Sequence, residues 1–486
     1  MIAAGYIWFQ QYQIHIQIVG LIIAIASVLY LINSDMDSTA KLTWMLVVLP
    51  MPILGGLFLL YTKIDWGYNG MKRQTMGNVE KTSPLLHQND SVLAELKTSH
   101  STAFNLAKYL SFGDNHFPVY KNSQVTYFPS GEAKFAELKK QLRQAKHYIF
   151  MEYFIIDEGL MWGEILNILE EKVAQGLEVR VMYDGMIEMT TLSFDYSKRL
   201  ERLGIKSKAF APLSPFLSTY YNYRDHRKIV VIDGEVAFTG GVNLADEYIN
   251  EIERFGHWKD TAIMVRGRAV DTFLILFMQM WGTIKDEHKE VQAYLSHHEN
   301  KLTTDGFVIP YGDSPLDNEK VGENVYIDIL NHARDYVHIM TPYLILDSEM
   351  EHALRFAAER GVDVRIIMPG IPDKQVPYFL AKTYYRPLLA SGVKIYEYSP
   401  GFVHAKVFVA DDSRAVVGTI NLDYRSLYHH FECATYLYHS SEIPKIERDF
   451  QATLEECRQV TPETLKKLPF SEKAIGAVVK AVAPLL

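Results

Sequence analysis

The alternation of apolar and polar positions divides this chain of 486 residues into unlike parts. Two apolar runs open it, Ile14 to Ile32 and Leu42 to Tyr61, and neither is interrupted by a charged residue. Each approaches the roughly 20 residues that a helix needs to cross the hydrocarbon core of a bilayer. They predict a transmembrane helical hairpin over residues 1–66, kinked in its second arm by Pro50 and Pro52. A cleaved export signal is the competing reading of the first run, but it requires a basic leading segment, and no Lys or Arg precedes Lys41. Residues 67–116 are polar and irregular and read as a linker, with one amphipathic helix near Ser91 to Thr98.

Globular periodicity begins near Phe117. VTYFPSGEAKFAELKKQLRQAKHYIFMEYFIID gives a strand, a turn at Ser130 and Gly131, a helix carrying Phe135, Leu138 and Leu142, and a buried strand from Tyr148 to Ile156. A helix from Met161 to Gln175 closes at Gly176 and leads into the strand LEVRVMYD. The same grammar returns later: NVYIDILNHARDYVHIMTPYLI matches the first helix and strand, and ALRFAAERGVDVRIIMPG matches NILEEKVAQGLEVRVMYDG. Gly361 falls where Gly176 does. Two similar α/β units are therefore expected, 117–290 and 300–460, each a mixed or largely parallel sheet covered by helices. The final stretch, 461–486, places Ile475, Val478, Val479 and Val482 on one helical face with Lys473 and Lys480 off it. It reads as an amphipathic segment packed on the globular body, with contact to a membrane surface as the alternative.

Composition adds limits. At 48% hydrophobic and 22% charged the chain is that of an ordinary folded protein, and its net charge of −9 argues against nucleic acid as a partner. Cys433 and Cys457 are too few for a disulfide framework and point to a reducing compartment. The loop between the apolar runs holds Asp35, Asp37 and Lys41, whereas Lys63, Lys72, Arg73 and Lys81 follow the second run. By the positive-inside rule the remainder of the chain faces the cytoplasm, as a multi-pass protein of the cell membrane.

The strongest chemical signal is a frame that occurs twice, HRKIVVIDGEVAFTGGVN from His226 to Asn243 and HAKVFVADDSRAVVGTIN from His404 to Asn421. Five fixed positions recur by chance at roughly one start in three million, so two copies in matching repeats are not accidental. Residues two apart in a strand share a side, so His226 with Lys228, and His404 with Lys406, each present an imidazole and an ammonium together. Asp233 and Asp411 lie an odd number of residues away and read as fixing groups. Gly240 and Gly241, and Gly418 and Thr419, allow a tight turn that returns Asn243 and Asn421 toward the same pocket.

These residues resemble the phospholipase D superfamily, whose signature is H-x-K-x4-D-x6-G-x-x-N carried twice. With two apolar runs in front, the chain resembles bacterial cardiolipin synthases in particular. The resemblance implies two phospholipase-D-like units related by pseudo-two-fold symmetry around a joint site. In it His226, Lys228, Asp233, His404, Lys406 and Asp411 form the catalytic motifs, and Asn243, Asn421 and Thr419 bind the substrate phosphate. Gly241 departs from the serine or threonine of many relatives.

A phosphodiester reacting through a charged transition state needs fixed cations and amide donors, which the two lysines and two asparagines supply, so no cofactor or metal is expected. One neutral imidazole attacks phosphorus and one imidazolium protonates the leaving alkoxide. The resemblance implies a phosphatidyl-histidine intermediate with His226 as nucleophile and His404 as acid; the residues alone leave that order open. Each histidine needs a carboxylate on its second ring nitrogen, and Asp260 and Glu432, which open matching strands after the motifs, are the candidates, with Glu247 behind Asp260 in the first half.

Three further features carry weaker readings. His429 and His430 read as exposed loop residues, because no cysteine or acidic spacing accompanies them. Arg224 either binds an anionic headgroup or pairs with Asp225. The apolar segment from Phe210 to Tyr221 is expected to touch acyl chains. The expected reaction joins two molecules of phosphatidylglycerol into cardiolipin and releases glycerol, at the membrane. Hydrolysis by a phospholipase D, transfer to another alcohol, a phosphodiester nuclease and a catalytically decayed scaffold are the alternatives.

Overall fold

The structure, a computed structural model, describes residues 2–64, 66–99, 101–112, 116–212, 222–284, 291–295, 302, 306–317 and 319–485. Among the described residues, nine strands fall in the first half: β1 (Ser123–Phe128), β2 (Tyr148–Tyr153), β3 (Glu178–Asp184), β4 (Lys206–Phe210), β5 (Arg224–Asp225), β6 (Ile229–Ile232), β7 (Val236–Gly240), β8 (His257–Lys259) and β9 (Ala262–Gly267). Nine more follow: β10 (Phe307–Asp313), β11 (Tyr336–Met340), β12 (Asp363–Pro369), β13 (Lys394–Tyr398), β14 (Gly401–Val403), β15 (Val407–Ala410), β16 (Arg414–Gly418), β17 (His430–Tyr438) and β18 (Cys457–Gln459).

Seven strands form the first sheet in the order β1-β9-β7-β6-β2-β3-β4, and the second sheet repeats it as β10-β17-β16-β15-β11-β12-β13, extended by β18. Both are mixed: β2, β3 and β4 run parallel, as do β11, β12 and β13, while the remaining pairs along each order are antiparallel. The expected α/β architecture of two similar units is thus present. Gly176 and Gly361 take φ of 89° and 96° at the same helix-to-strand junction, a backbone conformation that glycine adopts without steric cost.

Each central strand is buried on both faces, and its alternation sorts two cores. In β2, Ile149, Met151 and Tyr153 meet the helices Gly131–Gln144 and Leu160–Ala174. Tyr148 and Phe150 point the other way, into a core shared with Val403, Val407, Val417 and Cys433 of the second half. In β11, Val337 and Ile339 meet the helices Val321–His332, Ser348–Glu359 and Gln375–Ala390. The layers therefore run helices, sheet, sheet, helices, with the two sheets sharing a buried apolar interior.

Two short strands exchange sides. β5, immediately before the first motif, pairs in parallel with β17 of the second half, and β14, immediately before the second motif, pairs in parallel with β8 of the first. This reciprocal exchange gives the pseudo-two-fold relation its physical form.

The stretch read as a linker is largely helical. Helices Trp66–Thr82, Asp90–Ser99 and Ser101–Ser111 occupy it, and the second of them covers the expected amphipathic helix. Leu93, Leu96, Leu106 and Leu110 are buried in the core of the second sheet. Asn78 Nδ2 donates to Gln279 O at 3.1 Å, tying the first of these helices to the helix Val270–Ile284.

At the N-terminus, α1 (Ile2–Ile32) contains one stretch, Tyr12–Ile32, long and apolar enough to cross a membrane. The second apolar run does not form a matching arm. It breaks at residues 49–51 into α2 (Ser38–Val48) and α3 (Pro52–Ile64). Pro50 and Pro52 lack the amide hydrogen a continuing helix requires, and each disfavours the helical conformation of its predecessor. The C-terminal helix Phe470–Val482 packs on Gln375–Ala390, with Gly476 against Phe379 O and Lys480 Nζ 3.8 Å from the Tyr384 ring centroid. Val479 and Ala483 join the core, whereas Phe470 and Val478 remain 85% and 70% exposed.

Candidate active site

His226 and Lys228 lie between β5 and β6, and His404 and Lys406 between β14 and β15, all four buried. The strand exchange sets their partners. Arg224 pairs with His430 and Asp225 with Phe431, so one step further His226 stands opposite Glu432. Likewise Val403 pairs with Lys259, which brings His404 opposite Asp260. Backbone bonds continue both ladders, His226 N donating to Phe431 O at 3.0 Å and His404 N to Lys259 O at 2.7 Å. His226 Nδ1 lies 2.8 and 3.0 Å from the Glu432 carboxylate oxygens, and His404 Nδ1 lies 2.7 Å from Asp260 Oδ2. Each histidine thus takes its carboxylate from the opposite half, where a partner in its own half was the simpler expectation. A carboxylate at Nδ1 holds the proton there and leaves the lone pair on Nε2.

Several motif positions serve the frame and not the pocket. The Asp233 carboxylate accepts three amide hydrogens, from Lys146, His147 and Tyr148, at 2.7 to 2.8 Å, and Asp411 does the same for Arg334, Asp335 and Tyr336 at 2.8 to 3.0 Å. Both sit at hairpin turns with φ of 54° and 50°, which aspartate tolerates better than most residues. Counting them with the catalytic groups is therefore corrected: they splice each hairpin to the start of β2 or β11.

Thr419 Oγ1 donates to Glu432 Oε2 and accepts from Cys433 N at 3.0 Å, so its hydroxyl is engaged with the histidine's carboxylate and does not serve as the expected phosphate contact. Gly241 occupies the equivalent place, and a Cβ there would stand 2.0 Å from Asp260 Oδ1. The shorter aspartate fills the space that a serine would need. Asn243 accepts from Ile155 N at 3.1 Å and donates to Tyr248 Oη at 2.8 Å. Asn421 is buried, and its Oδ1 has no hydrogen-bond partner among the described residues, whereas both ends of the Asn243 amide are engaged.

The chain has recognisable relatives. The sequence profile of a family described as cardiolipin synthase, phospholipase D-like domain, matches residues 138–281 and 326–454. A cardiolipin synthase of Alkalihalophilus pseudofirmus is 34% identical over 455 residues, covering 92% of this chain and 89% of the relative. The chain belongs to the cardiolipin synthase family of phospholipase D-like proteins. Membership makes it a phosphatidyltransferase-type enzyme of phospholipid metabolism. An uncharacterised protein of Streptococcus mutans serotype c is 64% identical over 95% of this chain and 100% of its own length. Among solved structures, the phosphatidylserine synthase of Haemophilus influenzae Rd KW20 has the same fold, with a TM-score of 0.59 at 15% identity over 75% of this chain and 95% of that one.

Burial is the largest influence on each group. It pushes the His226 imidazole well below its usual range, against the pull of Glu432, and lowers His404 to about 4, helped by Lys406 and opposed by Asp260. It brings Lys228 down to about 8 and Lys406 to about 7. Burial opposes ionisation of Glu432 as well, but His226 and Lys228 outweigh it and hold the carboxyl far below the ordinary carboxylate range. Lys228 acts on both His404 and Lys406, so the two half-sites lie within electrostatic reach of each other.

The depressed lysines give a testable sign. Protonated lysines attract a phosphate, so kcat/KM is expected to fall as pH rises through about 7 to 8, where Lys406 and Lys228 lose their protons in the free enzyme. Bound anion raises both lysines, so kcat should change less over the same range. A flat kcat/KM between about pH 6.5 and 8.5 would count against charged lysines as the phosphate ligands.

The remaining candidates resolve as follows. Arg224 forms a buried ion pair with Asp184 at 3.3 Å and donates to Ala211 O at 2.9 Å. Asp225 instead meets Arg227, which also pairs with Glu152 at 2.7 Å. Glu247 binds Arg254 at 2.9 Å and not a histidine. The apolar segment before the first motif lies mostly outside the described residues, at 213–221.

His430 is not in an exposed loop: it is buried, with its ring centroid 5.4 Å from that of His226 and its Nδ1 3.6 Å from Glu432 Oε1. It stands two residues before Glu432 in a strand and so on the same face, a spacing signal present in the sequence. Trp258 holds the matching place beside His404, at 5.4 Å. Among the described residues, His226, His430 and Glu432 bring ligand atoms within 4.8 Å of one another and could hold a metal ion, as could Glu323, Asp347 and Glu349. In the first set Glu432 is already bonded to His226, and in the second Lys320 lies within 3.6 Å of all three carboxylates.

Proposed function

We propose that the protein is a cardiolipin synthase that transfers a phosphatidyl group from one phosphatidylglycerol to a second, at the cytoplasmic face of the cell membrane. The observation that carries this reading is the crossed pair of histidine–carboxylate contacts, which supports one site with a nucleophile from one half and an acid from the other. His226 Nε2 attacks the phosphorus of the first lipid, the bond from phosphorus to the glycerol headgroup oxygen breaks, and the His404 imidazolium gives its proton to that oxygen. Glycerol leaves. Neutral His404 then takes the proton from a glycerol hydroxyl of the second lipid, whose oxygen attacks phosphorus as the bond to His226 breaks. Cardiolipin is released and both imidazoles return to their starting states.

Lys228, Lys406 and the Asn421 amide are suited to the non-bridging oxygens, on which charge builds in the transition state. The anionic phosphodiester beside His404 also lifts the imidazole from its low pKa of about 4, so the acid becomes competent when substrate is bound. No nucleotide is consumed, because one phosphodiester replaces another.

Phosphatidylglycerol vesicles with radiolabelled headgroup and acyl chains distinguish the outcomes. Labelled cardiolipin with an equal amount of free glycerol is expected. Phosphatidic acid with glycerol would make water the acceptor, and no turnover of any phospholipid would remove the enzymatic reading.

A further inference from the structure

The broken second arm changes how the N-terminal region meets a bilayer. Trp44 and Phe58 have ring centroids 5.4 Å apart, and a Cβ on Gly55 would meet Val47 O, so α2 and α3 run antiparallel from a tight turn at residues 49–51. Gly20 lies beside Pro52, and Gly56 beside Ile23 and Ser27, so α3 runs parallel to α1 and begins level with Gly20. Leu31, Trp44, Val48 and Leu59 close the three-helix contact. From Gly20 to Ile32 is about 18 Å of helix, and α3 is about 20 Å long. A bilayer core is about 30 Å thick. The α2–α3 hairpin is too short to reach the far side and return.

Its α2 end also stays with the catalytic body. Thr43 Oγ1, in α2, donates to Ala481 O of the C-terminal helix at 2.9 Å. The Asp37 carboxylate at the start of α2 is within electrostatic reach of Tyr384, Tyr424 and Tyr428. Lys41 Nζ reaches Ile32 O at 3.3 Å. The loop between α1 and α2 cannot therefore lie across a membrane from the body that it touches.

We infer that the chain crosses the bilayer once, through Tyr12–Ile32, and that α2 and α3 form a re-entrant hairpin embedded only in the leaflet on the catalytic side. The partner of this surface is the acyl-chain region of that leaflet. Leu42, Leu46, Leu49, Leu54, Leu57 and Leu60 are more than half exposed on the hairpin and are the side chains it would solvate. Its turn is suited to lipid because Pro50 and Pro52 have no amide hydrogen to leave unsatisfied, and Leu49 N and Gly55 N donate to Met45 O at 2.9 Å and Met51 O at 2.7 Å. Charge agrees: Asp35, Asp37, Lys41, Lys72 and Arg73 all gather on the body's side, and residues 1–12 carry no charged side chain. At the foot of the hairpin, where α2 meets the C-terminal residues, a cavity of about 390 Å³ is lined by Tyr343, Leu380, Tyr424, Val479 and Ala483, and Asp423 on its wall is two residues from Asn421.

The inference rests on the chain being membrane-embedded, and the test keeps the two apart. Full-length Ala4→Cys and Ser34→Cys variants are exposed in intact cells to a membrane-impermeant maleimide. Label is expected at Ala4→Cys and absent at Ser34→Cys until the cells are permeabilised. Label at Ser34→Cys and none at Ala4→Cys in intact cells would establish two crossings and overturn the re-entrant hairpin. Neither labelled before permeabilisation and both afterwards would overturn the single crossing. Alkaline extraction of the same membranes reports separately on embedding: protein recovered in the supernatant would mean that the membrane reading itself had failed.

Discussion

Protein carrying His404→Ala, incubated with acyl-labelled phosphatidylglycerol, is expected to retain covalently bound label on His226 while its turnover falls by at least about 10³-fold. The reason is division of labour. His226 keeps its carboxylate partner, since Glu432 does not contact His404, so the attacking imidazole is still oriented. What disappears is the base that would activate the second lipid's hydroxyl, and the intermediate outlives the first step. Loss of the acid slows that first step too, so accumulation is expected over minutes to hours and is best read in a single-turnover experiment. His226→Ala should lose turnover to at least the same degree and trap nothing. Label held at His404 in the His226→Ala protein would reverse the assignment of nucleophile and acid.

The second large effect concerns the exchanged carboxylates. Glu432→Gln and Asp260→Asn are each expected to lower kcat by about 10³- to 10⁴-fold, the scale on which hydrolytic triads lose activity when their carboxylate becomes an amide. The crossing makes the consequence specific. Glu432 raises the His226 pKa, so its replacement should depress the titration of His226, followed by imidazole NMR, and leave that of His404 in place; Asp260→Asn should do the converse. A Glu432→Gln spectrum in which His404 moves and His226 does not would show that the pairing runs within each half.

Much of this was legible in the chain before any coordinates. The twin motifs, the strand and helix grammar and the glycine junctions at 176 and 361 are local and periodic, and local periodicity survives folding. Asp260 and Glu432 were visible as carboxylates opening matching strands. Their pairing across halves was not, because it depends on the register of β5 on β17 and β14 on β8, between residues 206 and 144 positions apart. Of the helices between 66 and 111, the one over Asp90–Ser99 was expected, and the other two were hidden for a related reason. Leu93 and Leu96, and Leu106 and Leu110, sit at helical spacing in an otherwise polar stretch, and they find their core on a sheet whose first strand begins only at Phe307. Thr419 was assigned to substrate from its motif position, whereas its hydroxyl is held by Glu432 and Cys433. The second apolar run has the composition of a span, and only its turn at the prolines reveals that it doubles back.

The exchanged strands also bear on how freely the two halves can diverge. Two identical copies of one half could make the same exchange, but every substitution would then appear on both sides of the site at once. Joined in one chain, each half-site can be altered alone, and the changes are already visible: Gly241 with Asp260 on one side against Thr419 with Glu432 on the other, and Trp258 beside one histidine where His430 stands beside its counterpart. Fusion thus lets a symmetric frame present chemically different walls on its two sides.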